Sequence, residues 1–210
     1  MSDPDAPSSH PLIRPDDEST IRAAGQAIRN GQLVAFATET VYGLGADATN
    51  ARAVADVFDA KQRPSFDPLI VHVPDADQAR TLTTSWNPLA EQLAQRFWPG
   101  PLTMVMPKTK VIPDIVTAGR DDVGLRVPRH PLAGRLLQAA DRPIAAPSAN
   151  RFGRISPTRA RHVAEELGDC EQLAMILDGG PCEHGIESTV VTFDHSDPRR
   201  ILVLRLGSID

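Results

Sequence analysis

Phe36–Asn50, "FATETVYGLGADATN", carries the reading of the fold. An apolar run with the look of a buried strand stops at Thr-Glu-Thr, passes two glycines and enters what looks like a helix, "NARAVADVFDAK" (50–61). The mouth of such a strand is where α/β proteins gather backbone N–H groups and a helix N-terminus around phosphate. The glycines alone do not define that site, because the stretch has neither the G-x-x-x-x-G-K-[ST] loop nor the full dinucleotide fingerprint.

Outward from this stretch, helix-period and strand-like segments alternate. "STIRAAGQAIRNG" (19–31) reads as a helix with Ser19 as its N-cap and Gly31 past its end, feeding the strand "QLVAFAT" (32–38). "PLIVHV" (68–73) is a strand ending at Pro74, and "NPLAEQLAQRFW" (87–98) is a helix. "PLTMVMP" (101–107) and "VGLRVP" (123–128) are strands, "PLAGRLLQAAD" (131–141) a helix leading to "PIAAPSAN" (143–150). "SPTRARHVAEELG" (156–168) places Ser156 before Pro157 as a helix start, with Gly168 as its stop. "LAMILDGG", "STVVTF" and "ILVLRLG" close the chain as strands. This order predicts one α/β or α+β domain around a large mixed sheet over residues 19–210, preceded by a mobile tail over residues 1–18, rich in Pro, Ser and Asp.

Composition narrows the function classes. The 210 residues are 41% hydrophobic, enough for one substantial core, and carry a formal charge of −5, which gives no general attraction to nucleic acid or an anionic membrane. No apolar run reaches the roughly 20 residues of a membrane span, and residues 1–18 lack the basic and apolar regions of a signal peptide. The two cysteines, Cys170 and Cys182, form no C-x-x-C pair. A cytoplasmic protein is expected.

Several short constellations could carry chemistry. Arg63 precedes Pro64, which favours extended geometry and would set Lys61 and Arg63 side by side as a cationic prong; a solvated helix end is the other reading. Extended backbone likewise puts Thr38 and Thr40 on one face with Glu39 on the other, and pairs Ser148 with Asn150, either for phosphate and small polar ligands or as turn residues. Arg126 alternates with the apolar Val123, Leu125 and Val127, so its guanidinium serves either a ligand carboxylate, bidentately, or an internal ion pair. His72 is a strand histidine, for packing or for substrate contact. "LDGGPCEHGIESTVV" is a flexible Gly-rich approach to a strand with Ser188 at its mouth, or a plain surface loop. There is no H-E-x-x-H, no G-x-S-x-G and no cluster with metal-ligand spacing. Lys, Arg, Ser, Thr and Asn suit the positioning of phosphate and its charge rather than covalent catalysis.

Taken in order, "TETVYGLGADA", "KQRP" with "PLIVH", "FWPGPLT", "VGLRVPRHP", "PSAN" with "SPT", "DGG" before "STVV", and "LRLGSI" resemble the YrdC-like threonylcarbamoyl-AMP synthases over about Thr20 to Ile209. The resemblance implies a single twisted α/β domain with a deep concave cleft. It implies synthesis of threonylcarbamoyl-AMP and pyrophosphate from L-threonine, bicarbonate or CO2, and ATP with Mg2+ on its phosphates. The product would serve threonylcarbamoyladenosine formation at tRNA position 37, with other proteins transferring the group to tRNA. By the same resemblance Lys61, Arg63, Ser148 and Asn150 would be catalytic and nucleotide-binding, joined by Arg205. Thr38, Thr40, His72, Arg126 and Ser188 would hold threonine, and Tyr42 would help wall the cleft. Asp67 stands where the resemblance would place Asn, and with "LRLGSID" at the end of the sequence the resemblance is to the short, single-domain form, which is the form expected. A non-enzymatic RNA-binding module is the rival reading; the acidic balance and an aromatic fraction of 4% count against it. A sugar-phosphate lyase or isomerase would want an acidic metal cluster that the sequence lacks.

Overall fold

In the computed structural model, which describes residues 10–64, 66–194, 197 and 200–209, the Phe36–Asn50 stretch doubles back before any helix begins. Strand β2 (Leu33–Phe36) is buried throughout; the chain reverses over 37–42 and returns as β3 (Gly43–Asp47), with Phe36 opposite Gly43 and Val34 opposite Gly45. The two glycines are strand residues, where the sequence pointed to a turn. A Cβ on Gly45 would lie 2.8 Å from Ile144 Cγ2 and 2.9 Å from Phe36 Cε1, so packing across the sheet requires the missing side chain. Helix α2 (Ala51–Lys61) starts only after Asn50, whose side-chain oxygen accepts the N–H groups of Arg52 and Ala53.

The N-terminal expectation is corrected for the described part. Residues 1–9 lie outside the described residues, but β1 (Ile13–Arg14) pairs in parallel with β8 (Leu173–Leu177), and Leu12 and Arg14 carbonyls accept from Ile176 and Asp178. Helix α1 (Glu18–Arg29) is capped by Asp17, not Ser19; the Asp17 carboxylate accepts from both the Thr20 N–H and the Ser19 hydroxyl. The helix starts two residues earlier than read, and the serine hydroxyl is spent as a donor to the capping carboxylate.

The remaining elements are β4 (Ile70–His72), α3 (Ala76–Leu82), α4 (Pro88–Phe97), β5 (Leu102–Pro107), β6 (Asp122–Arg126), α5 (Pro131–Ala140), β7 (Ile144–Ala145), α6 (Ala160–Leu167), β9 (Thr189–Phe193) and β10 (Ile201–Arg205). Helix α3 follows Pro74 too closely and is too short to show a period; Asp75 caps it. Helix α6 begins at Ala160 rather than at Pro157, because the carbonyls of Pro157 and Thr158 are used by the N–H groups of Tyr42 and Cys182.

The ten strands among the described residues form one mixed sheet, β1-β8-β2-β3-β7-β4-β6-β5-β9-β10. Alternation along the strands separates its faces. Leu33, Ala35, Leu44, Val71, Met104 and Leu125 pack on one face with α2, α3, α4 and α6. Val34, Phe36, Ile144 and Leu177 pack on the other with α1 and α5. These two helices cover only the β8-β2-β3-β7 half. The half made by β4, β6, β5, β9 and β10 keeps an uncovered face, and the cleft lies there.

Candidate active site

The cleft encloses about 530 Å3. Its floor is built from alternate residues of neighbouring strands, so register sets the chemistry. Ile70, Gly124, Val105 and Thr192 form one transverse row, with the Thr192 hydroxyl spent on the Val105 carbonyl at 3.1 Å. At the closed end His72 stands beside Arg126, with Thr103 paired to Val190. Thr38 and Thr40 from the β2–β3 connection and Ser148, three residues beyond β7, complete that end, and Ser188 lies just before β9. Arg63, Asp67, Arg120, Asp122, Glu187 and Arg205 stand around the remainder.

Thr38 and Thr40 share a hydrogen bond between hydroxyls at 2.8 Å, but on a turn and not on extended backbone: Thr38 Oγ1 also accepts the N–H groups of Thr40 and Val41 and donates to the Val41 carbonyl, which is the turn-residue alternative. Arg126 is at once a cleft residue and half of a buried ion pair. Its Nη2 donates to Glu39 Oε1 at 2.7 Å and to Thr40 Oγ1 at 3.1 Å, and its Nε points to the Gly100 carbonyl at 3.4 Å. Burial raises the Glu39 pKa, but attraction to Arg126 and hydrogen bonds from it outweigh this and leave the carboxyl below its usual range. The two readings of Arg126 are therefore compatible, although the nitrogen needed for a full fork toward a ligand already holds Glu39.

His72 is buried, meets Phe36 edge to face at 6.3 Å between centroids, and is driven down to about pKa 3 by burial, with the charge of Arg126 adding to the effect. It is a neutral imidazole. Its Nδ1 is a buried polar atom without a hydrogen-bond partner among the described residues, so it is unspent for a ligand in the cleft it lines.

Lys61 and Arg63 part company. Lys61 closes helix α2, and Gln62 at φ 51 turns the chain sharply, so the two side chains do not extend as a prong. Lys61 Nζ is buried and donates to the carbonyls of Ser148 and Asn150; it does not line the cavity. Burial, then the charge of Arg63, lowers its pKa to about 7. Arg63 does line the cleft and is held by Asp67 at 2.7 Å. Asn150 turns away too: its amide donates to the Arg151 and Arg154 carbonyls at 2.9 and 2.8 Å, which is the turn-forming alternative, while its Oδ1 is buried without a partner. Of that pair only Ser148 faces the cavity.

At the other wall, the Ser188 hydroxyl shares a 2.8 Å hydrogen bond with Thr103. Arg205 brackets the Ser188 carbonyl through Nε and Nη2 at 3.2 and 3.0 Å and pairs with Glu187. The approach to Ser188 is not loose. Tyr42 Oη donates to the Gly180 carbonyl at 2.8 Å and accepts the Gly179 N–H, and the N–H groups of His184 and Gly185 bind the carbonyls of Glu39 and Thr40. Tyr42 is thus a buried strut of this loop rather than a wall of the cleft. Sequence reasoning missed Thr103, Arg120, Asp122 and Glu187 as lining residues and Glu39 behind Arg126. For Thr103 the signal was present: it alternates with Leu102 and Met104 on a strand.

A fold of this topology with hydroxyls, a buried arginine and further arginines in one cleft defines a class, and the comparisons give it a name. Residues 26–207 match the family model Sua5_yciO_yrdC, described as "Telomere recombination", and the chain belongs to this Sua5/YciO/YrdC family. It is 47% identical over 193 residues to a threonylcarbamoyl-AMP synthase of Pyrococcus abyssi and 46% identical over 194 residues to one of Bacillus subtilis, covering 92% of this chain and 55% of each relative. The crystal structure of P. abyssi Sua5 complexed with L-threonine superposes with a TM-score of 0.86 at 46% identity, over 93% of this chain and 57% of that one. The chain spans about half the length of these relatives.

Proposed function

We propose that this chain is an L-threonylcarbamoyladenylate synthase, a nucleotidyltransferase acting on L-threonine, bicarbonate or CO2, and ATP. The observation that carries the reading is the closed end of the cleft, where Arg126, His72 and the paired hydroxyls of Thr38 and Thr40 meet in a chain 46% identical to a protein crystallised with L-threonine. The threonine amine adds to the carbon of CO2 with loss of a proton. The resulting carbamate oxygen bonds to the α-phosphorus of ATP as the α–β bridging P–O bond breaks, and pyrophosphate leaves with that electron pair.

The residues have separate tasks in this reaction. Arg126, with Thr38, Thr40 and Ser188, holds the amino acid, and His72 offers its unpaired Nδ1. Arg63, Ser148 and Arg205 face the nucleotide and offset the approach of one anion to another. Lys61 and Asn150 serve the same subsite through the backbone: Lys61 draws the Ser148 and Asn150 carbonyls together, and Asn150 braces the turn to Arg154. Mg2+ would come with the nucleotide substrate, on its phosphates. The product would pass to separate proteins that transfer the group to tRNA position 37, in the cytoplasm.

The test is pyrophosphate release by the purified protein with ATP, Mg2+, bicarbonate and threonine, each omitted in turn. Release is expected only when all are present; release that does not depend on threonine overturns the assignment.

A further inference from the structure

Glu39 is the one residue of Thr38–Thr40 that does not line the cavity, yet it is buried and fully engaged. Oε1 accepts from Arg126 Nη2 at 2.7 Å and Oε2 accepts the Arg129 backbone N–H at 3.1 Å. Its carbonyl accepts the His184 N–H at 3.0 Å, and the adjacent Thr40 carbonyl accepts that of Gly185 at 3.0 Å. One residue therefore ties the β2–β3 connection to the guanidinium of β6, to the chain leaving β6, and to the loop that leads to Ser188.

We propose that Glu39 is a positioning residue for amino-acid recognition, setting the Arg126 guanidinium for the substrate carboxylate and holding the 183–188 approach in register with it. The inference rests on the synthase reading. With Nη2 directed at Glu39 and Thr40 and Nε at Gly100, the N–H groups of Nη1 are the ones left for a ligand. A guanidinium on a long side chain has many rotamers, and a buried counter-carboxylate selects one of them before substrate arrives. Glu39 also compensates the buried charge, so the site gains no uncompensated cation when it is empty.

Glu39→Gln keeps the size and one acceptor but removes the charge and turns an amide donor toward the Arg129 N–H. In threonine and ATP titrations of pyrophosphate release, the threonine KM should rise about tenfold or more while the ATP KM and kcat stay within about twofold. Glu39→Asp, which keeps the charge one methylene short, should recover part of the loss. A folded Glu39→Gln variant with an unchanged threonine KM, or with both KM values raised alike, overturns the proposal. Side-chain NMR of Arg126 gives a readout independent of turnover: its guanidinium N–H signals should be restricted in the wild type and averaged in Glu39→Gln, and equal averaging in both overturns it. If the wild type shows no threonine-dependent pyrophosphate, the synthase reading falls and the NMR comparison alone judges Glu39. Should Glu39→Gln fail to fold, Glu39→Asp carries both measurements.

Discussion

The arginines of the cleft do different work because their carboxylate partners differ. Arg126 sits against Glu39 with both side chains almost wholly out of solvent, whereas Arg63 and Arg205 pair with Asp67 and Glu187 at the open wall. Arg126→Lys keeps a charge beside Glu39 but loses the planar donor set, so we expect the threonine KM to rise by roughly tenfold with little change for ATP, read by separate titrations. Arg126→Ala leaves a buried carboxylate uncompensated and should cost about 3 to 5 kcal/mol in stability by chemical denaturation. Arg63→Ala should instead lower turnover by roughly a hundredfold or more while the melting temperature barely moves, as the proposed role beside the transferring phosphoryl group requires. A full-rate Arg63→Ala variant with a lowered melting temperature would make that arginine structural.

Elements explain how an open face survives in a ten-stranded sheet. Helices α1 and α5 stop at β7, and they can lie side by side because Gly25 presents no side chain to α5. A Cβ on Gly25 would stand 2.6 Å from the carbonyl carbon and oxygen of Ala139, a clash with backbone that no rotamer relieves. Gly25→Ala should therefore destabilise the fold by about 1 to 3 kcal/mol through displacement of α5, despite the better helix propensity of alanine. Threonine and ATP KM values of the folded fraction should be unchanged, because α5 borders the cleft without lining it. The α2 terminus shows the opposite design: helix α2 ends on a buried amine that grips the Ser148–Asn150 backbone, joining a helix on one face to the segment that follows β7.

For the whole molecule that amine makes stability depend on pH. The folded-state pKa of Lys61 is depressed to about 7 from an ordinary 10.5, so between these values the unfolded chain binds more protons than the folded one. Its contribution to stability is fully present above pH 10.5, declines as pH falls, and is lost once pH passes below about 7. Urea denaturation at pH 7 and pH 9.5 should show this rise with pH in the wild type and a flatter profile in Lys61→Met. Net charge gives a second expectation. With −5 overall and three cleft arginines already facing carboxylates, tRNA should bind no better than roughly micromolar at physiological salt in filter binding; tighter, saturable binding would revive an RNA-binding role. No helix among the described residues is long and apolar enough to cross a membrane.

The segments that the sequence by itself determined are those with a local cause. Among the described residues, periodicity and caps located five of the six helices and β-branched runs located most strands, and alternation put Arg126 on the face opposite Leu125. The motif order identified the family through residues spread over the whole chain. Tertiary structure alone decided the rest, because the deciding partner is distant in sequence. Gly43 and Gly45 become strand residues through Phe36 and Ile144, β1 exists because β8 receives it, and Lys61 leaves the cleft for two carbonyls more than 80 residues away. No local pattern encodes Glu39 behind Arg126, since the two meet across 87 residues, from the β2–β3 connection to the end of β6. Local pattern specifies elements; burial and register choose which of their polar groups bind one another and which are left for substrate.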